Sequence, residues 1–313
     1  MTAPTSKFPP EDIHNYKRTD LAMEAREIWN EANKSKGDPD GVKSSEYDRN
    51  GVPVQAVDIL NEAGSRKLQK PVGRYVTIGI DDLLSRQENA FENAAQAIAE
   101  ELSALLPKSD DALALVVGLG NRDITPDAVG PHAAEQILAT RHLLQRMPDD
   151  FAGMRPVTAL APGVLGSTGI EVGELIAGVL DKVKPAFLIA VDALASRSTN
   201  RLCRTIQLSN TGVTPGSGVG NARFALTQET LGIPCIAIGV PTVVDAATLA
   251  ADLLEETGHE VDYNALREKH GHTFVTLKEI DQNVADCAKV IAYGINLALQ
   301  PNLTIEDIEM FLS

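Results

Sequence analysis

Residues 115–131 read LVVGLGNRDITPDAVGP, and the reading of this stretch decides the fold. Leu115-Val116-Val117 is an apolar run that ends in Gly118-Leu119-Gly120, the way a buried parallel strand delivers its chain to a tight turn at the sheet edge. A dinucleotide-binding turn needs a third glycine three positions after the second, and here that position is Asp123, whose carboxylate would repel a pyrophosphate. The chain also lacks a Gly-Lys-Ser/Thr phosphate loop. What remains is a strand, a loop and a helix start whose purpose is to hold Asp127.

Outward from this stretch the pattern is regular. Apolar and β-branched content predicts strands over 52–60 (VPVQAVDIL), 73–80, 112–119, 155–162, 185–194 (PAFLIAVDAL), 201–208 (RLCRTIQL) and 233–240. Helical spacing predicts helices over 91–106, 128–147, 169–183, 242–256, 284–299 and 304–312. Leu21, Ala25, Ile28 and Ala32 also recur at helical spacing, with Thr19 or Asp20 as the cap. The Gly, Pro and charge-rich segment 34–51 is expected to be an exposed loop, and residues 1–20 a polar lead without a burying period. Strands alternating with helices imply a three-layer α/β/α domain with a mainly parallel sheet over about residues 70–300.

Composition narrows the function. The chain has 313 residues, 43% of them apolar, enough for a substantial core. With 28 basic and 43 acidic residues, the net charge of −15 disfavours broad binding to nucleic acid or an anionic membrane. Cys203, Cys235 and Cys287 are too few and too widely spaced for a disulfide framework or a Cys-x-x-Cys metal clip. No spanning-length apolar run or signal pattern occurs, so a soluble, cytoplasmic protein is expected.

In a parallel sheet, chemistry gathers beyond the carboxyl ends of the strands. That rule selects Asn121, Asp127, Asp192, Arg197, Ser217 and Asp245. Asp127 and Asp192 form the best pair, because two carboxyls brought close cannot both ionise cheaply, so one holds a proton while the other can take one from water. Asp192 follows six apolar residues, where an acid without a purpose would be costly. The alternatives are an N-cap role for Asp127 and hydrogen bonding to the next turn's amides for Asp192. The run 215–220 reads as a turn or hinge. His132 and His142, ten positions apart in one predicted helix, are too far apart to share a metal, and His270-Gly271-His272 reads as a solvated loop. Neither His-Glu-x-x-His nor Gly-x-Ser-x-Gly occurs.

The blocks RTDLAMEARE, VVGLGNRDITPDAVGP, APGVLGSTGIE, VDALASRS, SNTGVTPGSGVGN and ETLGIPCIAIGVPTVVDA resemble the germination protease family of endospore-forming bacteria. The resemblance implies an endopeptidase that degrades small acid-soluble spore proteins at germination, on a core similar to the hydrogenase-maturation endopeptidases, a phosphorylase/hydrolase-like architecture. It carries the catalytic aspartates onto Asp127 and Asp192. It further implies a homotetramer in the forespore or spore core, made as a zymogen that removes its own N-terminal segment. The implied cleavage preference is an acid, then a hydrophobic residue, then Ala, with a further acid upstream. Asp20-Leu21-Ala22 meets the first three positions and Lys17 departs at the upstream one, giving a propeptide of residues 1–20 and a single domain of residues 21–313. Absence of a matching histidine ligand favours a reaction with no cofactor and no required metal. The alternatives are a metal-dependent maturation-type endopeptidase on the same fold and, should the two aspartates lie too far apart, a binding module.

Overall fold

A computed structural model describes residues 19–109, 111–216, 224–259, 261–270 and 273–313. Most of the expected lead, residues 1–18, lies outside the described residues, as do Ser217 with most of its glycine run and the Gly271-His272 pair.

Among the described residues the chain builds a nine-stranded sheet: β1 (Val42–Arg49), β2 (Val52–Ile59), β3 (Gly73–Gly79), β4 (Ala114–Gly118), β5 (Val157–Leu160), β6 (Phe187–Ser196), β7 (Thr205–Ser209), β8 (Cys235–Asp245) and β9 (Phe274–Val275). Their order is β1-β2-β3-β7-β8-β6-β4-β5, with β9 paired to β8. The α/β class stands, but the expectation of a mainly parallel sheet is corrected. Only β5-β4-β6-β8 is parallel, whereas the β1–β2, β2–β3, β3–β7, β7–β8 and β8–β9 pairings are antiparallel.

The antiparallel half begins in the segment expected to be a loop. Arg49 pairs with Val52 across a two-residue connection, and Asn50 and Gly51 take φ of 53° and 82°. Positive φ at both central residues is the hairpin turn that Asn-Gly favours, because its twist matches that of the strands it joins. β1 reads as polar because it is an edge strand, with only Val42 of its eight residues buried.

Side chains alternate between faces along the parallel strands. Ala114 and Val116 of β4 face a large core formed with the helices Ala90–Leu105, Val129–Ala134 and Ile280–Leu299. Leu115 and Val117 face a smaller core under the helix Val172–Val183. A third cluster packs Leu21, Ala22, Met23 and Ala25, at the start of the N-terminal helix Ala22–Asn33, on Val57, Ile59 and Tyr75 of the antiparallel half.

The helix expected over 128–147 is broken into Val129–Ala134 and Arg141–Arg146. Buried side chains satisfy the backbone between them: Asn296 accepts from the Leu138 amide and donates to the Gln136 carbonyl, and the Thr140 hydroxyl accepts from Val157 N. Tertiary hydrogen bonds of this kind outweigh a helical propensity worth tenths of a kcal/mol per residue.

Candidate active site

The loop after β4 is built to return on itself. Gly120 has φ of 113°, and a Cβ there would fall 2.0 Å from the Asp127 carbonyl oxygen, so only glycine lets the loop close. Thr125–Asp127 forms a short 3-10 turn with Pro126 near its start. Asp127 does not cap the following helix, whose N-cap is Ala128; its Oδ2 instead accepts from Asn121 N at 2.7 Å. Asn121 thus serves Asp127 through its backbone and does not line the main cavity.

Asp192 lies within β6, between the parallel neighbours β4 and β8, and is buried. Its Oδ1 accepts from the adjacent Ala193 N at 2.9 Å. Asp127 and Asp192 line one cavity of about 800 Å³. Burial holds the Asp192 carboxyl well above the usual carboxylate range, and the negative charges of Asp127 and then Asp20 push the same way, against the Ala193 amide. Burial also raises Asp127, opposed by the Asn121 amide. The less buried Asp127 therefore ionises first, and its charge helps to keep the proton on Asp192.

A segment of the chain itself occupies the edge of this cavity. Thr19 and Asp20 line it, while Leu21 and Ala22 are fully buried behind them. Asp20 N donates to Ala195 O and Asp20 Oδ2 accepts from Ala195 N, both at 2.8 Å. Asp20 is thus tied to β6 by one backbone and one side-chain hydrogen bond, and the expected cap role falls away, the N-cap position being Leu21. Gln207 of β7 accepts from Ala22 N at 2.7 Å and donates to Asp20 O at 3.2 Å. Lys70 lines the cavity and donates to Thr19 O at 2.9 Å; burial depresses its pKa, and the charges of Asp20 and Glu24 oppose that depression.

Glu24 fastens the segment from below. This buried carboxylate accepts from Arg197 N at 2.7 Å and Ser198 N at 3.3 Å, accepts from the Thr19 hydroxyl, and pairs with Arg201 at 3.2 Å. Arg197 and Asp245 are corrected as cleft-lining residues. The Arg197 guanidinium bridges Glu31 and Asp252, both at 2.8 Å, and so ties two helices together away from the cavity. Asp245 is a buried N-cap that accepts from Thr248 N at 2.9 Å. Both follow the strand-end rule, yet a β-bulge between Leu194 and Ala195 in β6 and the length of β8 carry them past the cavity. Ser217 lies outside the described residues.

Sequence reasoning missed Gln207, Lys70 and Glu24. A glutamine inside the apolar strand of residues 201–208 was the available signal for the first, since a buried amide needs partners. Nothing local marks Lys70, whose partner lies 51 positions away. No group of three or more His, Cys, Asp or Glu able to hold a metal occurs among the described residues.

An α/β chain in which Asp127, Asp192 and the N-terminal Thr19-Asp20 segment line one cavity brings together carboxyls suited to acid–base chemistry on a peptide. A family model described as germination protease matches residues 22–269. The chain is 46% identical to the germination protease of Clostridium perfringens (strain SM101 / Type A) over 326 residues, spanning 95% of this chain and 99% of that one. It is also 46% identical to that of Caldanaerobacter subterraneus subsp. tengcongensis, over 94% and 98% of the two chains, and 39% identical to that of Bacillus licheniformis, over 96% and 98%. The chain belongs to the germination protease family. It is therefore an endopeptidase of the family that initiates degradation of small acid-soluble spore proteins, and the metal-dependent maturation-type alternative is not favoured. Among the described residues, no helix is long and apolar enough to cross a membrane.

Proposed function

We propose that Asp127 and Asp192 are the catalytic acids and that the chain processes itself at the Asp20–Leu21 bond. The observation that carries this reading is the shared cavity: both carboxyls line it, Asp20 reaches into it, and Asp192 responds to the charge of both other acids. Ionised Asp127 takes a proton from water as the water oxygen attacks the Asp20 carbonyl carbon. Asp192 gives its proton to the leaving nitrogen of Leu21 as the C–N bond breaks. One cycle ends with Asp127 protonated and Asp192 ionised, and proton exchange with solvent restores the starting pair.

Lys70 supports an acidic residue on the amino side of the cut, since its ammonium form, held on Thr19 O, and the Asp20 carboxylate favour each other's charge. N-terminal sequencing of the processed form is expected to begin at Leu21; any other first residue rejects the assignment, including one shifted by Lys17 at the upstream position. The mature chain, residues 21–313, then acts as a single peptidase domain on small acid-soluble spore proteins, as a homotetramer in the spore core. The parallel half β5-β4-β6-β8 is the part we liken to the hydrogenase-maturation endopeptidases.

The reaction as proposed uses no resident metal, because Asp127 as base and Asp192 as acid supply both proton transfers themselves. Chelator added to active enzyme is expected to leave the cleavage rate unchanged. Loss of activity restored by one added metal would overturn the two-acid mechanism.

A further inference from the structure

We propose that Gln207 is a third catalytic residue, one that grips the peptide on both sides of the scissile bond and donates to the carbonyl that is attacked. The inference rests on the reading that Asp20–Leu21 is the bond cut. Gln207 Nε2 donates to Asp20 O at 3.2 Å, and its Oε1 accepts from Ala22 N at 2.7 Å. Asp20 O is the oxygen of the scissile peptide itself. Ala22 N belongs to the next peptide along, so one side-chain amide spans the reacting bond.

The orientation of that amide follows from its partners. Ala22 N–H can only donate and Asp20 O can only accept, so Oε1 faces the first and Nε2 the second. The reverse placement would set donor against donor and acceptor against acceptor. Gln207 is also held rigidly. It sits on β7 between β3 and β8, opposite Thr77 and Gly239, and is buried. Tyr75, Ser209 and Asp192 line the same cavity, Asp192 in the same row across Gly239 of β8.

A fixed donor on the carbonyl oxygen acts where negative charge grows. When water adds to the Asp20 carbonyl carbon, the C=O π bond becomes an oxyanion, and a hydrogen bond that is modest in the ground state strengthens in the transition state. This leaves the proton of Asp192 for the departing Leu21 nitrogen and gives each of the three side chains one task. The grip on Ala22 N sets register, because a shift by one residue would break both bonds together.

The test is self-processing of the full-length precursor, measured as the rate of conversion across a pH series, in wild type, Gln207→Met and Gln207→Glu. Gln207→Met keeps the volume and removes the donor, and it is expected to slow conversion by about 10²–10³-fold at every pH. Gln207→Glu is expected to be as slow at neutral pH. As pH falls its rate relative to wild type is expected to recover, because a protonated carboxyl can accept from Ala22 N through one oxygen and donate to Asp20 O through the other. Melting temperature separates this from misfolding, and Gln207→Glu keeps the Ala22 contact should the Met variant not fold. A purely structural role predicts the same deficit for Gln207→Glu at all pH values, and that result overturns the proposal. So does either variant converting within about threefold of wild type at neutral pH, where loss of a carbonyl donor costs about 10²-fold or more. If the wild-type product does not begin at Leu21, the processing-site reading fails and takes this inference with it. If it does begin at Leu21 and Asp192→Asn is inactive while Gln207→Met is fast, only the role of Gln207 fails.

Discussion

Asp192→Asn is expected to abolish self-processing and spore-protein cleavage, by about 10²–10⁴-fold, while making the folded protein more stable at neutral pH. The loss follows because an amide cannot give up the proton that the leaving nitrogen needs. The gain in stability follows from linkage. Burial, then the charges of Asp127 and Asp20, raises the folded pKa of Asp192 above its unfolded value. Between those two pKa values the folded state binds more protons than the unfolded one. The contribution of Asp192 to stability is therefore fully present below the unfolded pKa of about 3.9 and is lost as pH rises through the folded pKa. At neutral pH the unfolded carboxyl is ionised, so folding must bury that charge or take up a proton, a cost that a neutral asparagine does not carry. Thermal melts at a series of pH values should show the wild type weakening over this window and the variant less dependent on pH. Asp127→Asn is expected to lose activity on the same scale through loss of the base, with a smaller gain in stability because Asp127 is only part-buried. Near-normal cleavage by either variant, from properly folded protein, would sink the two-acid mechanism.

Gly130→Ala is expected to destabilise the fold by about 3 kcal/mol and to slow processing as well. A Cβ on Gly130 would lie 2.2 Å from Leu119 O and 2.4 Å from Val191 O. Both are backbone oxygens, so neither can swing away as a flexible side chain would. They sit immediately before Gly120, which closes the Asp127 loop, and before Asp192. The two strands are joined there by the Leu119 N to Val191 O hydrogen bond of 2.8 Å. Lifting the Val129–Ala134 helix to make room must shift at least one acid against the other. Denaturant unfolding read beside the processing rate tests this, and a variant with wild-type stability would refute it.

The glycines of residues 115–131 gain their meaning from this geometry. Gly118 and Gly130 let the helix settle on the strand, since a Cβ on Gly118 would meet Gly130 O at 2.0 Å. Gly120 makes the space into which Asp127 folds back. A nucleotide-binding turn needs small residues in similar places for a similar reason, the close approach of backbone, and Asp123 is what separated the two readings in the sequence.

Much of the fold was legible. The helices at 91–106, 169–183, 284–299 and 304–312 and the strands of the parallel half follow from period and β-branched content, which act over a few residues. The antiparallel half was half-legible. β2 and β3 were recognisable, but β1 was hidden by the polar character of an edge strand, although Asn50-Gly51 between 42–49 and the apolar run from Val52 was a hairpin signal. Arg197 and Asp245 show the limit of topological inference: being near a strand end selects an edge of the sheet, not a cavity wall.

The sequence alone determined most of the helices and strands, the Asp123 that stands where a phosphate turn needs glycine, and the presence of one acid, Asp127, in the loop after an apolar run and another, Asp192, directly behind a second. These follow from local period, turn chemistry and the cost of burying charge. Only the tertiary structure decided that half the sheet is antiparallel, that Glu24 anchors the N-terminal helix to the loop after β6, and that Gln207 meets the Asp20–Leu21 bond from 187 positions away. Such partnerships depend on which strand edges and buried donors find one another in the compact chain, and a hydrogen bond between distant residues leaves no period in the sequence that precedes it.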